Sequence, residues 1–205
     1  MENKLFLTNV CSFLEGWEQE LLNYRFREEL NKSDQIEIAV GFCSHKSLRE
    51  LDALIFQKRI KRVCLILGMY YLNGIPESLH KLALEINERW MRAGIGEIRL
   101  VHSCKYHGKL YCFFKNNQIF SAIFGSPNLS FLTETWFNNQ DQHEMAFITN
   151  NPIKIEKFPR YLKYLKSKNI SENIEILERY KSHWEEESYF QDEKKQSKIV
   201  YKKFL

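Results

Sequence analysis

Apolar positions along the 205 residues follow two rhythms. Ile36 to Phe42 (IEIAVGF), Val63 to Met69 (VCLILGM) and Glu97 to Val101 (EIRLV) are short apolar-rich runs of strand length between polar segments. Within Ser44 to Ile60, Leu48, Leu51, Leu54 and Ile55 recur at helical spacing, as do Leu79, Leu82, Ala83, Ile86 and Trp90 further on. Asn73-Gly74 predicts a turn, Pro76 the first turn of the second of these helices, and Gly94 and Gly96 its end. Upstream, residues 4 to 9 predict an edge strand, and 12 to 30 a helix with Ser12 as its cap. Val63 to Met69 is apolar on both faces, which calls for parallel neighbours. The β-α-β-α-β order predicts an α/β fold, a mixed sheet joined by right-handed crossovers and flanked by helices on both faces.

Downstream the rhythm changes. Residues 106 to 126 alternate like a hairpin turning at Asn116-Asn117, a dipeptide that tolerates positive φ, and Glu144 to Thr149 (EMAFIT) predicts one more strand. The loop between them holds Phe131, Trp136 and Phe137, read as local packing or subunit contacts. Phe158, Tyr161, Leu162 and Leu165 predict a basic helix from Pro152 to Asn169. From Ser171 the chain reads as helical and acidic to Glu187, then Lys-rich. The division expected is a catalytic domain over 1–168 and a charged helical extension over 169–205.

The hairpin carries the candidate chemistry. Side chains two apart on a strand share a face, so His107 and Lys109 are aimed together. With a two-residue turn pairing Lys115 with Gln118, counting back sets His107 opposite Ser126, facing Gly125-Ser126-Pro127-Asn128. An imidazole, an ammonium, a hydroxyl and an amide at one place suit attack on a phosphodiester. His107 would be the nucleophile, and Lys109, Ser126 and Asn128 would bind the phosphoryl oxygens. The bland alternative is a solvated strand face, with Ser126 and Asn128 merely closing and capping a turn.

Composition narrows the setting. Thirty basic against 26 acidic residues, a pI near 8.7, are compatible with a nucleic-acid partner without demanding one. The basic segments 56–62 (FQKRIKR) and 154–168 are open between a solvated face and a phosphate-tracking surface. Five cysteines, an odd number set mostly in apolar strand patterns, suit free buried thiols in the cytoplasm. The first residues lack the apolar run of a signal peptide, and nothing approaches the roughly 18 apolar residues of a membrane span. His102, Cys104, His107 and Cys112 match no paired zinc-ligand spacing, so no metal and no cofactor is expected.

HGK followed by GSPN resembles the His-x-Lys and Gly-Ser-x-Asn signature of the phospholipase D superfamily. The superfamily's usual Asp, with four residues between it and the Lys, falls on Phe114 and is absent, as in some nuclease branches. In those branches a carboxylate on the strand after the GSxN loop orients the His, and Glu144 matches that position. A bare exposed carboxylate is its bland alternative, and neighbouring His143 reads as structural. The chain is most similar to the catalytic domain of phospholipase-D-like type II restriction endonucleases of the NgoFVII type. That resemblance implies a phospholipase-D-like α-β-α sandwich and a metal-independent endonuclease acting on DNA through a phosphohistidine. Since the signature occurs once, it also implies a homodimer with a composite site. Members of the group carry a DNA-recognition domain after the catalytic one, so the expectation is either a catalytic part that leads into such a domain or a shorter relative. A nonspecific nuclease, a lipid phosphodiesterase and a catalytically silent DNA-binding or dimerisation module are the alternatives.

Overall fold

The computed structural model describes residues 3–8, 22–133, 144–176 and 198–199. In chain order these form β1 (Asn3–Thr8), α1 (Leu22–Lys32), β2 (Gln35–Val40), α2 (His45–Gln57), β3 (Arg62–Leu67), α3 (Tyr70–Asn73), β4 (Ile75–Pro76), α4 (Glu77–Arg92) and β5 (Gly96–Val101). There follow β6 (Leu110–Lys115), β7 (Gln118–Gly125), a 3-10 turn (Leu129–Leu132), β8 (Glu144–Thr149), α5 (Pro152–Ile155), α6 (Phe158–Leu165), β9 (Ser171–Asn173) and β10 (Lys198–Ile199).

Eight strands make one mixed sheet in the order β1-β8-β7-β6-β2-β3-β5-β9. The apolar β3 lies at the parallel centre, with β2 on one side and β5 on the other. Its two parallel neighbours are joined to it through α2 and α4, as the sequence rhythm predicts. Ser44 starts α2 with a capping box, its hydroxyl accepting from the Ser47 amide at 3.0 Å while the Ser47 hydroxyl accepts from the Ser44 amide at 2.9 Å. Helices α1, α2 and α4 cover one face with Phe26, Leu30, Leu48, Leu51, Ile86 and Trp90. Helices α5 and α6 cover the other, where Ile155 and Leu162 meet Leu110, Cys112, Phe114 and Ala122, and Leu165 meets Ala39, Cys64 and Ile66. The result is the helix-sheet-helix sandwich expected. Phe114, where the superfamily's Asp would stand, is core here.

Cys43, Cys64 and Cys112 are buried free thiols and Cys104 is exposed. No helix among the described residues is long and apolar enough to cross a membrane. Ser12, Trp136, Phe137, His143 and the charged segment 177–197 lie outside the described residues.

Three expectations need correction. The helix expected from Pro152 to Asn169 is two helices, because Pro159 sits in the first turn of α6, where its missing N–H ends any continuous ladder from α5. Ser171 to Asn173 is not helical but a sheet strand antiparallel to β5, so the sheet continues past residue 168. Polar side chains hold it: Arg99 Nε donates to Ser171 Oγ at 3.0 Å, and Asn173 Nδ2 to Glu97 Oε2 at 2.9 Å. The first strand of the hairpin begins at Leu110 rather than 106, which leaves His107 and Lys109 in the loop leading into it.

A buried polar joint ties α2 to α4. The Trp90 indole donates to Asp52 Oδ1 at 2.8 Å, and Arg89 pairs with Oδ2 at 2.9 Å. Asp52→Ala should destabilise the fold by about 1–3 kcal/mol, because it strands the indole N–H in the core. Urea unfolding of the variant measures this, and an unchanged midpoint would contradict it.

Candidate active site

Carboxyl ends of β2 and β3, where an α/β sheet opens its ligand crevice, meet the start of β6 and the end of β7. Antiparallel pairing of β6 with β2 brings these distant segments together. Asn116 and Asn117 turn the hairpin at φ 51° and 66°, the left-handed pair that a tight turn requires. The expected register then fails by one residue. Lys115 pairs with Gln118, but Phe113 pairs with Ser121, so Phe120 is an extra bulged residue. His107 therefore does not come opposite Ser126. Instead the Gly125 amide donates to the Lys109 carbonyl at 3.3 Å, closing the mouth of the hairpin.

His107 and Lys109 do converge. Lys109 is only 7% exposed, and its ammonium donates to the His107 carbonyl at 2.8 Å. The same nitrogen lies 3.1 Å from His107 Nδ1 and 3.0 Å from Nε2. Burial pushes the Lys109 pKa below its ordinary 10.5, and the negative charge of Glu144 opposes that shift. His107 is exposed, its ring edge-on to Phe42 at 6.1 Å between centroids.

Asn128 reaches the same place from the GSPN loop. Its side-chain oxygen accepts from the Phe42 amide at 3.1 Å, which turns the amide nitrogen the other way. A methyl group on Gly41 would lie 3.2 Å from His107 Cδ2 and 3.6 Å from Asn128 Oδ1, so both side chains converge on a backbone without a side chain. Gly125 is needed for a similar reason: a Cβ there would sit 2.1 Å from the Met145 carbonyl oxygen. The loop is further fixed by Tyr111, whose buried hydroxyl donates to the Pro127 carbonyl at 2.8 Å.

Ser126 and Glu144 form a second pair. The Ser126 hydroxyl donates to the Glu144 carboxylate and accepts from the Met145 amide at 2.9 Å, while its own amide donates to the Met145 carbonyl at 2.9 Å. Its proton is committed to β8 in this arrangement, which makes it a clasp between the GSPN loop and Glu144.

Sequence reasoning named His107, Lys109, Ser126, Asn128 and Glu144, and missed Gly41, Phe42 and Tyr111. Gly41-Phe42 was legible in principle, since it ends an apolar strand at the edge where such sheets bind ligands. Tyr111 carried no signal separating it from a core aromatic.

Comparison with known families finds that the model described as NgoFVII restriction endonuclease N-terminal PLD domain matches residues 19–179. Among solved structures, NucT from Helicobacter pylori is similar, with 15% identity over 80% of this chain and 94% of that one, at a TM-score of 0.52. Nuc, a phospholipase D family member from Salmonella typhimurium, matches at 15% identity over 79% of this chain and 91% of that one, with a TM-score of 0.49. Polyphosphate kinase from Porphyromonas gingivalis shares the fold over 80% of this chain and 26% of its own, at 14% identity and a TM-score of 0.50. A comparison with curated proteins finds no match.

The electrostatics of the pair predict a titration. The Lys109 ammonium should titrate below 10.5, and Glu144→Gln, which removes the charge that holds the proton on, should lower it further. NMR titration of the side-chain amine reads both values, and an upward shift in the variant would contradict the assignment.

Proposed function

The chain belongs to the NgoFVII restriction endonuclease family of phospholipase D domains, and from that premise we propose that it hydrolyses DNA phosphodiester bonds through a covalent phosphohistidine at His107. The observation that supports this most is the meeting of His107, Lys109 and Asn128 at the carboxyl edge of the sheet, each held by a contact to backbone or, for His107, against Lys109 and Phe42.

In the first step a ring nitrogen of His107 attacks phosphorus, so that a P–N bond forms as the P–O bond to the leaving sugar oxygen breaks. The Lys109 ammonium and the Asn128 side-chain amide donate to the non-bridging oxygens as charge builds on them. The leaving oxygen takes a proton from the partner subunit's His107. In the second step that now-neutral imidazole accepts a proton from water, the hydroxide attacks phosphorus, and the P–N bond breaks to restore His107. Glu144, clasped by Ser126, keeps a negative charge near Lys109 and so keeps the ammonium protonated.

Two further features belong to this reading. Among the described residues the donors at the site are an imidazole, an ammonium, an amide and a single carboxylate already engaged by Ser126, a poor set for a hard divalent cation, and on this reading the reaction is metal-independent. The signature occurs once in these 205 residues, and two subunits facing each other across a two-fold axis supply both histidines on this reading. The setting is type II restriction in the cytoplasm, consistent with free thiols at Cys43, Cys64 and Cys112.

Wild-type protein should nick or cut plasmid DNA in EDTA, and His107→Ala should lose activity by roughly three orders of magnitude or more. Activity per subunit should also fall on dilution through the dimer dissociation constant. Cleavage that returns only with magnesium rejects the mechanism, a fully active monomer rejects the composite site, and cleavage of phospholipid instead of DNA moves the substrate assignment to lipid.

A further inference from the structure

We propose that the outer face of α6, with Lys105 and Lys168 at its margins, is the track on which the sugar-phosphate backbone of duplex DNA runs past the His107 site, a proposal that rests on the phosphodiesterase reading above. Residues 152–168 hold six cations, Lys154, Lys157, Arg160, Lys163, Lys166 and Lys168, against the single carboxylate of Glu156. Of these, Lys166 is neutralised by Glu37 at 2.7 Å and Lys154 lies over the Phe147 ring at 5.1 Å. Lys157, Arg160, Lys163 and Lys168 are exposed and pair with no carboxylate among the described residues. On the opposite face more of the cations are paired, Arg27 with Glu50, Lys81 with Glu77 and Arg92 with Glu88, while Lys46 and Arg49 of α2 are exposed without a carboxylate partner among the described residues.

The unpaired charge is ordered along the helix. Lys157, Arg160, Tyr161 and Tyr164 stand at i, i+3, i+4 and i+7, which sets them on one stripe about 10 Å long, roughly three nucleotide steps of a strand. Tyr161 and Tyr164 remain 41% and 56% exposed, although Leu162 and Leu165 of the same helix are buried in the core. Phenolic hydroxyls between cations are donors suited to phosphate oxygens.

The stripe adjoins the site. Tyr161 packs on Tyr106 at 6.5 Å between ring centroids, and Tyr106 immediately precedes His107. Lys105, exposed in the same loop, extends the positive surface toward the nucleophile. The other basic segment, 56–62, lacks this continuity. It spans the end of α2 and the start of β3, at the opposite edge of the sheet from His107, and Arg62 is bound to Asn117 of the hairpin turn. An anionic membrane is a poorer fit, because the outward aromatics are tyrosines and the apolar side of α6 is already spent on the sheet.

The test compares Lys157→Gln/Arg160→Gln/Lys163→Gln with Lys81→Gln/Arg92→Gln on α4. All five side chains are exposed, and matching thermal melts establish that both variants fold. Binding of a fluorescent duplex is followed by anisotropy across salt concentrations, in a His107→Ala background so that nothing is cut. Hydrolysis of a small activated phosphodiester, bis(p-nitrophenyl) phosphate, is followed with His107 intact. The α6 variant should bind duplex at least tenfold more weakly at low salt. The slope of log affinity against log salt should be shallower by about 2–3, near 0.9 per lost phosphate contact. The α4 variant should match the parent, and both should hydrolyse the small diester at the parental rate. Unchanged duplex affinity and slope in the α6 variant overturns the track, as does loss of binding to phosphatidylserine vesicles without loss of duplex binding. A parent protein that cannot hydrolyse the small diester overturns the phosphodiesterase reading instead, and the binding data still report on the surface by themselves.

Discussion

A lysine ammonium held out of water beside an imidazole is the constraint on which this architecture turns. Lys109 is nearly buried, and its charge is tolerated because the His107 carbonyl accepts from it and the Glu144 carboxylate lies near enough to raise its proton affinity. Each support comes from a different piece of chain. The carbonyl belongs to the loop entering β6, the carboxylate opens β8, and the clasp from Ser126 to Glu144 fixes that carboxylate at the end of β7. A phosphodiester is a natural guest for such a place, since its anionic oxygens complete the solvation that the fold leaves partial.

The sheet makes this meeting achievable. A parallel core of β2, β3 and β5 presents its carboxyl edge, and the antiparallel pairing of β6 against β2 delivers the hairpin to that edge. Close approach then requires residues without side chains. Gly41 leaves room for His107 and Asn128, and Gly125 lets β7 lie against the Met145 carbonyl. The buried Tyr111 hydroxyl on the Pro127 carbonyl adds stiffness to the same loop. Positioning is thus spread over backbone contacts of several elements, whereas the side chains proposed to react come from the loops that enter and leave one short hairpin.

Much of this was legible from residue order. The three apolar strand runs and two intervening amphipathic helices gave the α/β rhythm, and the apolar faces of β3 correctly required parallel neighbours. That His107, Lys109 and Asn128 would come together was legible because they flank a hairpin whose turn residues announce it. What escaped was non-local or polar. The bulge at Phe120 leaves no trace in an alternating pattern, so pairing counted back from the turn slipped by one. Strand Ser171 to Asn173 has no hydrophobic alternation, and it is held by Arg99, Asn87 and Glu97 from elsewhere in the chain. Ser126 looked like a phosphate donor, but its proton goes to Glu144, a partner 18 residues away.

The account stands or falls on His107 as the nucleophile. Protein mixed with DNA in EDTA, quenched rapidly in alkali, where a phosphohistidine bond survives, and mapped by peptide mass spectrometry tests this directly. The account predicts a DNA-phosphoryl adduct on the peptide containing His107, labile to acid and absent from His107→Ala. DNA cleavage with no adduct at His107, or with the adduct on another residue, would contradict it.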